Sequence, residues 1–311
     1  MINRNDLLKK AVLAFEKRNG LRPIPQEVIQ KYYDNFAIKN TYDSNAIEGN
    51  TITLNETHVI IKDSIMIREK SFGEHLDIVG YHQGFQHMLN AAREKRPISL
   101  DLIRSLHSFV RISREDGFYQ DYRHLDVHDV EIVGRNGMVL FKPVASKSMK
   151  HLMIDYVAQI NNDLKHFNKV TYKNEDYFNE VTNALAKHHM DFETIHPFTG
   201  GNGRTGRLLM NYELLTLGLS PVNIKQLDAV KYSHALYDYQ HFGEQPRAGN
   251  GIQEMSDLIL QSLVEELQNW NTLFESFMPG MENDPRANLA LYGADTVLKN
   301  ESENDNDNEM G

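Results

Sequence analysis

Apolar positions recur with helical spacing along most of the chain. Between Gln253 and Phe277 they fall at Leu258, Leu260, Leu263, Leu267, Trp270 and Phe274, a stripe along one face of a long helix. Comparable patterns predict helices over about 26–48, 56–70, 75–93, 99–112, 148–166, 175–195 and 204–217, with Arg96-Pro97 and Pro279-Gly280 as punctuation. One stretch departs from this period. Two β-rich runs within 130–141 flank Asn136-Gly137, a dipeptide that favours positive φ at both central positions of a hairpin turn. The expected fold class is all-α with one short β-hairpin. The expected organisation is an N-terminal helical region over 1–95, a core over 96–245, C-terminal helices over 246–298 and a disordered acidic tail over 299–311.

Composition narrows the function classes. The chain has 311 residues, 41% of them hydrophobic, enough to bury a substantial core. A formal net charge of -10 excludes nucleic-acid binding through a general basic surface. With no cysteine there is neither a disulfide nor a thiolate metal site. No apolar run approaches the roughly 18 residues of a membrane span, and the first fifteen residues hold no long apolar signal core. A soluble cytoplasmic protein without membrane or nucleic-acid partners is expected.

The chemistry concentrates between Thr194 and Leu209. Pro197 disfavours helical geometry at His196, so one helix should end there. A second helix can begin near Asn202, and between the two lies a loop containing Gly200, Gly201 and Gly203. Glycines of this kind can turn successive N–H groups inward, and such a nest at a helix N-terminus attracts phosphate. Asn202 fits as the N-cap or as a further amide donor. Arg204 and Arg207, at i and i+3, project from one face of the first turn. Cations there oppose the helix dipole, which a bound polyanion compensates, and guanidiniums suit bidentate phosphate recognition. His196 at the rim of this anion site can act as a general base. An ordinary tight connection and a structural histidine are the competing readings of the same residues.

Taken together, His196, Phe198, Gly201, Asn202, Gly203, Arg204 and Arg207 resemble the signature of the Fic family, His-x-Phe-x-(Asp/Glu)-Gly-Asn-Gly-Arg-x-x-Arg, at every fixed position but one. The likeness runs loosely from Ser44 to Phe242. It implies a Fic-type helical fold whose motif loop holds ATP phosphates, with AMP moved from ATP to a Ser, Thr or Tyr hydroxyl of a target protein. By the same resemblance His196 deprotonates that hydroxyl, and Gly201, Asn202 and Gly203 hold the α- and β-phosphates. Arg204 faces the β-phosphate and Arg207 the γ-phosphate, while Phe198 anchors the loop. The departure is Gly200, which stands where the family has an acidic residue resembling a Mg²⁺ ligand. No protein metal ligand is therefore expected, and Mg²⁺ would ride on the phosphates and water.

A second motif lies upstream. Ser44 and Glu48 share a helix face at i and i+4, and Gly49 suits a left-handed exit from that helix. The dipole disfavours a carboxylate at this end, which a cation such as Arg207 would relieve. This stretch resembles the (Ser/Thr)-x-x-x-Glu-(Gly/Asn) inhibitory motif of Fic proteins, which implies an inhibitory helix near 31–48 whose Glu48 pairs with Arg207 and excludes the γ-phosphate. The resemblance also implies that the 130–141 hairpin is a flap over the site, where Ile132 and Val133 offer an edge for β-augmentation of a target segment. It further implies that Tyr232, Leu236 and Gln240 close an adenosine pocket. A zinc site at His188, His189, Glu193 and His196 is disfavoured by spacing, and His124 and His128 read as surface polarity. Removal of AMP, transfer of another phosphate-containing group, or nucleotide-dependent regulation on the same fold remain open alternatives, as does a homo-oligomer.

Overall fold

The computed structural model describes residues 3–21, 24–111, 122, 132–133, 139–141, 143–240 and 250–281. Among them the helices are α1 (Arg4–Gly20), α2 (Gln26–Ile47), α3 (Leu54–Asp63), α4 (Phe72–Arg93), α5 (Leu100–Val110), α6 (Ser146–Asn168), α7 (Glu175–Ile195), α8 (Asn202–Thr216), α9 (Ala229–Tyr239) and α10 (Gly251–Met281). Two short strands, β1 (Ile132–Val133) and β2 (Val139–Phe141), pair antiparallel, with Ile132 opposite Phe141 and Val133 opposite Val139. The Asn136-Gly137 turn, His124, His128 and the 299–311 tail lie outside the described residues.

Most helices start where local chemistry dictates. Thr53 with Glu56, and Ser71 with Glu74, form reciprocal capping boxes for α3 and α4. Ser99 caps α5 and Asn174 caps α7 through their side-chain oxygens. The helix expected over 56–70 stops earlier, at Asp63, because Ser64 turns left-handed and Ile65 and Met66 point outward with no face to bury. The first helix escapes the periodicity reading given above. Its inward face is Leu7, Leu8, Ala11, Ala14, Phe15 and Arg18, packed against α7 and α10. Arg4 fastens the start of α1 by donating to Asn179, Thr182 and Ser256.

The centre of the molecule is α8, which packs against α2, α4, α5 and α7. Leu208, Leu209, Met210, Tyr212 and Leu214 are buried along it, and so are Asn202, Arg204, Thr205, Arg207, Asn211 and Glu213. Polar groups taken out of water need partners. Asn211 accepts from the Val222 N–H at 2.7 Å. Glu213 pairs with His188 Nδ1 at 2.7 Å, while His188 Nε2 meets Asp163 at 2.9 Å. Burial alone would lower the pKa of His188, but these two carboxylates hold it above its ordinary value. This chain of charges ties α6, α7 and α8 together, and the remaining buried polar residues of α8 converge on its N-terminal end.

Candidate active site

The helix α7 ends at Ile195, and His196 follows in the left-handed region at φ 48°, its N–H bonded to Phe192 O at 2.9 Å. A non-glycine residue held there costs roughly 1 kcal/mol or more. Here it turns the chain sharply into Pro197 and sets the imidazole at the rim of the loop. Its Nδ1 lies 3.4 Å from Glu193 O.

The loop is clamped from within. Phe198 is fully buried, stacked on the His107 ring at 3.6 Å and 4°. His107 also donates Nε2–H to Gly200 O at 2.9 Å, so one α5 side chain holds the loop by its ring face and by its edge. Asn202 departs from expectation. The N-cap of α8 is Gly201, left-handed at φ 79°, and no side chain caps the helix. The Asn202 amide is spent on the loop itself: Oδ1 accepts from Phe198 N at 3.0 Å, and Nδ2 donates to Phe198 O at 2.9 Å. It is a buckle across the turn, and a ligand would meet backbone N–H groups rather than this amide.

Both arginines of the first turn are buried and meet the C-terminal end of α2. Arg207 donates Nε–H to Ser44 Oγ at 2.8 Å, and Nη2–H to Ser44 O at 2.9 Å and Glu48 Oε1 at 2.8 Å. Its Nη1–H donates to the Tyr232 hydroxyl at 3.1 Å. Arg204 donates to Asn45 Oδ1 at 3.0 Å and pairs with Asp77 of α4 at 2.9 Å. Cations belong at a helix C-terminus, so the end of α2 is a natural lid for this pair. Gly49 leaves α2 left-handed at φ 94°, as the sequence predicts. The Glu48 carboxylate lies so close over Gly203 that a Cβ there would collide with Oε1.

The charges are arranged in two layers around Arg207. Glu48 is still 39% exposed at its side chain. Burial tends to raise its pKa, but Arg207 first, then Arg204 and His196, hold it below the ordinary 4.5. Its contribution to the contact is thus complete above pH 4.5 and is lost only on further acidification. Glu193 sits behind, with Oε1 unbonded, and burial followed by the Glu48 carboxylate pushes it up to about 8 against the pull of Arg207. Burial and then Arg207 hold His189 down at about 3, neutral, with Nε2 against the Tyr232 hydroxyl at 2.7 Å. A raised folded-state pKa stabilises below 4.5 and loses that contribution as pH rises through about 8. Glu193→Gln removes the titration, so its stability relative to the parent should climb by about 1.4 kcal/mol per pH unit across that window. Urea denaturation over a pH series measures this, and a constant difference would mean that Glu193 ionises normally.

Tyr232, expected in an adenosine pocket, is instead buried behind Arg207, its hydroxyl taken by Arg207 and His189. Leu236 is half-buried against the core, and Gln240 is the half-buried C-cap of α9. Ile132 and Val133 contribute backbone to the two-stranded ladder. Three of the four residues weighed as a zinc set point apart, His188 toward Asp163 and Glu213, His189 toward Tyr232, and His196 beyond the helix end, while Glu193 lies with His189 against Gly206. Asn45, Asp77, His107 and Arg111 were not singled out in the sequence. The Ser44/Glu48 spacing could have pointed to the adjacent Asn45, but Asp77 comes from α4, His107 from α5 and Arg111 from just beyond α5, with no local pattern.

Comparison with known proteins bears on the family and the fold. Residues 97–214 match the sequence profile of the Fic/DOC family. A protein adenylyltransferase Fic from Nematostella vectensis is 30% identical over 237 residues, 73% of this chain and 49% of that protein. A protein adenylyltransferase fic-1 from Caenorhabditis elegans is 29% identical over 199 residues, 63% of this chain and 35% of that one. The chain thus spans half or less of the length of these curated relatives. In solved structures the fold recurs in a Fic-domain signalling protein from Bacteroides thetaiotaomicron, with TM-score 0.74, 20% identity, 86% of this chain and 97% of that chain covered. A C. elegans Fic-1 fragment gives TM-score 0.64 and 18% identity, over 88% of this chain and 73% of that one.

Proposed function

From its membership in the Fic/DOC family, we propose that this chain is a protein adenylyltransferase, moving AMP from ATP to a side-chain hydroxyl of a protein, and that Glu48 holds it inactive. The observation that carries the reading is the convergence of a histidine base, a glycine nest and two arginines on one helix N-terminus, with the arginines already engaged by a second helix. ATP lays its phosphates over the N–H groups of Gly201, Gly203 and the first turn of α8. Arg204 and Arg207 take the β- and γ-phosphate charge once Asn45, Ser44 and Glu48 give them up. His196 Nε2 accepts the proton of the target hydroxyl as its oxygen attacks the α-phosphorus. The bond to the bridging oxygen breaks, pyrophosphate leaves, and the protein carries AMP in a phosphodiester. Positioning and charge neutralisation supply most of the rate in such a displacement.

The strands β1 and β2 support a docking role in which a target segment adds to the Ile132–Val133 edge through its backbone. The residues present do not fit a protein-held Mg²⁺. Position 200 has no carboxylate, and among the described residues Glu48 and Asp77 are paired with Arg207 and Arg204 while burial keeps Glu193 protonated up to about pH 8. No step of the reaction is assigned to a metal.

Removing the Glu48 side chain frees Arg207 for a γ-phosphate. Incubated with ATP labelled at the α-phosphate, Glu48→Gly should therefore put label on protein at least about tenfold faster than the parent, the effect of relieving an inhibitory contact of about 1.4 kcal/mol. Equal labelling in both would leave the transferase and discard the brake. If neither transfers label while both bind ATP, nucleotide-dependent regulation becomes the better reading.

A further inference from the structure

The glycine at position 200 lies against a charged side chain. Arg111 follows α5 directly, one helical turn beyond His107, and its N–H bonds His107 O at 3.1 Å. Its side chain runs along the Gly200-Gly201 pair. A Cβ on Gly201 would stand 3.0 Å from Arg111 Cδ and 3.3 Å from Cγ. A Cβ on Gly200 would stand 3.0 Å from Nη1 and 3.4 Å from Cζ. The guanidinium therefore fills the space into which any side chain at 200 would grow. A residue larger than glycine would have to push it aside.

We infer that Arg111 binds the polyphosphate of the nucleotide, supplying from the protein the positive charge that an acidic residue at position 200 would recruit as a metal ion. The inference rests on the nucleotide-binding reading above and specifies how that site neutralises its ligand. The contact sets the Arg111 side chain against the Gly200–Gly201 segment of the loop that leads into α8. A planar guanidinium can bond two phosphate oxygens at once.

The test is ATP binding by calorimetry, in the Glu48→Gly background and with excess Mg²⁺ or excess EDTA. The Glu48→Gly chain should bind ATP with dissociation constants within about threefold of each other in the two conditions, since no protein group holds the metal. Adding Arg111→Ala or Arg111→Gln should weaken binding in EDTA by about 10- to 100-fold, the usual worth of one charge-assisted contact. Combining Arg111→Ala with Gly200→Asp vacates the space and supplies a carboxylate, and affinity should return with Mg²⁺ and not with EDTA. Two results overturn the inference while leaving nucleotide binding intact: Mg²⁺ tightening ATP on the Glu48→Gly chain by more than about tenfold, or Arg111 variants binding as it does. The first needs no variant at the arginine, so misfolding cannot obscure it. Failure of ATP to bind under either condition overturns both this inference and the functional reading beneath it.

Discussion

Replacing His196 by alanine in a Glu48→Gly background should reduce AMP transfer by about two to four orders of magnitude, the range that a positioned general base contributes. ATP affinity should change little, because on the proposed function the phosphates are held by α8 and its loop, to which the imidazole does not belong. The imidazole sits on the left-handed turn at φ 48° with Nδ1 3.4 Å from Glu193 O, and on the proposed function its Nε2 accepts the proton of the incoming hydroxyl. His196→Asn is the needed companion, since asparagine tolerates left-handed backbone better than alanine. Both variants losing transfer while retaining ATP identifies a proton acceptor. Parallel loss of ATP binding would instead identify a structural corner, and undiminished transfer would take the base role away from this residue.

The second large effect concerns stability. Arg207→Ala should cost about 3–5 kcal/mol, the typical result of removing one partner from a buried charged network. The side chain is 1% exposed and bonds the Ser44 hydroxyl, the Ser44 carbonyl, Glu48 and Tyr232. Its loss strands buried acceptors on α2 and α9 and opens a cavity at the centre of α8. Glu48→Gly should cost less than about 1 kcal/mol, because its carboxylate remains partly in water. Chemical denaturation of both variants separates the two cases. If Arg207→Ala is as stable as Glu48→Gly, the guanidinium is a ligand group alone and the network around it does not support the fold.

Much of the helical layout was legible because burial imposes a 3.6-residue period. The joints at His196, Asn202 and Gly49 were legible because proline, a glycine run and a terminal glycine each restrict the backbone in a known way. The first helix was readable in principle: Leu7, Leu8, Ala11, Ala14, Phe15 and Arg18 share a face, but the adjacent lysines diluted the signal. The overrun of α3 has a different cause, since Ile65 and Met66 are apolar without being buried. In the site, the pairing of Glu48 with Arg207 followed from two motifs that each carried a charge in need of the other. Asn202 could not be assigned, because an amide that donates to a ligand and one that buckles a loop have the same letter and position. Tyr232 has the spacing of a pocket wall, but its hydroxyl is drawn inward by an arginine on α8. His107 lies 93 positions from the loop it clamps. Nothing in local composition reports a partnership at that distance.

The clamp of His107 on Phe198 and Gly200 bears on the order of events at the site. A phosphate loop that assembles around its ligand charges the entropy of its own ordering to every binding encounter. Here ring stacking, the Gly200 carbonyl bond and the Asn202 buckle fixed that shape when the chain folded. On the function proposed above, nucleotide entry then waits chiefly on the Glu48 carboxylate vacating Gly203 and Arg207. Apparent affinity becomes the intrinsic affinity scaled by the fraction of molecules with Glu48 withdrawn. A partner that shifts α2 can thus set the occupancy of the site while touching none of the atoms that hold the phosphates.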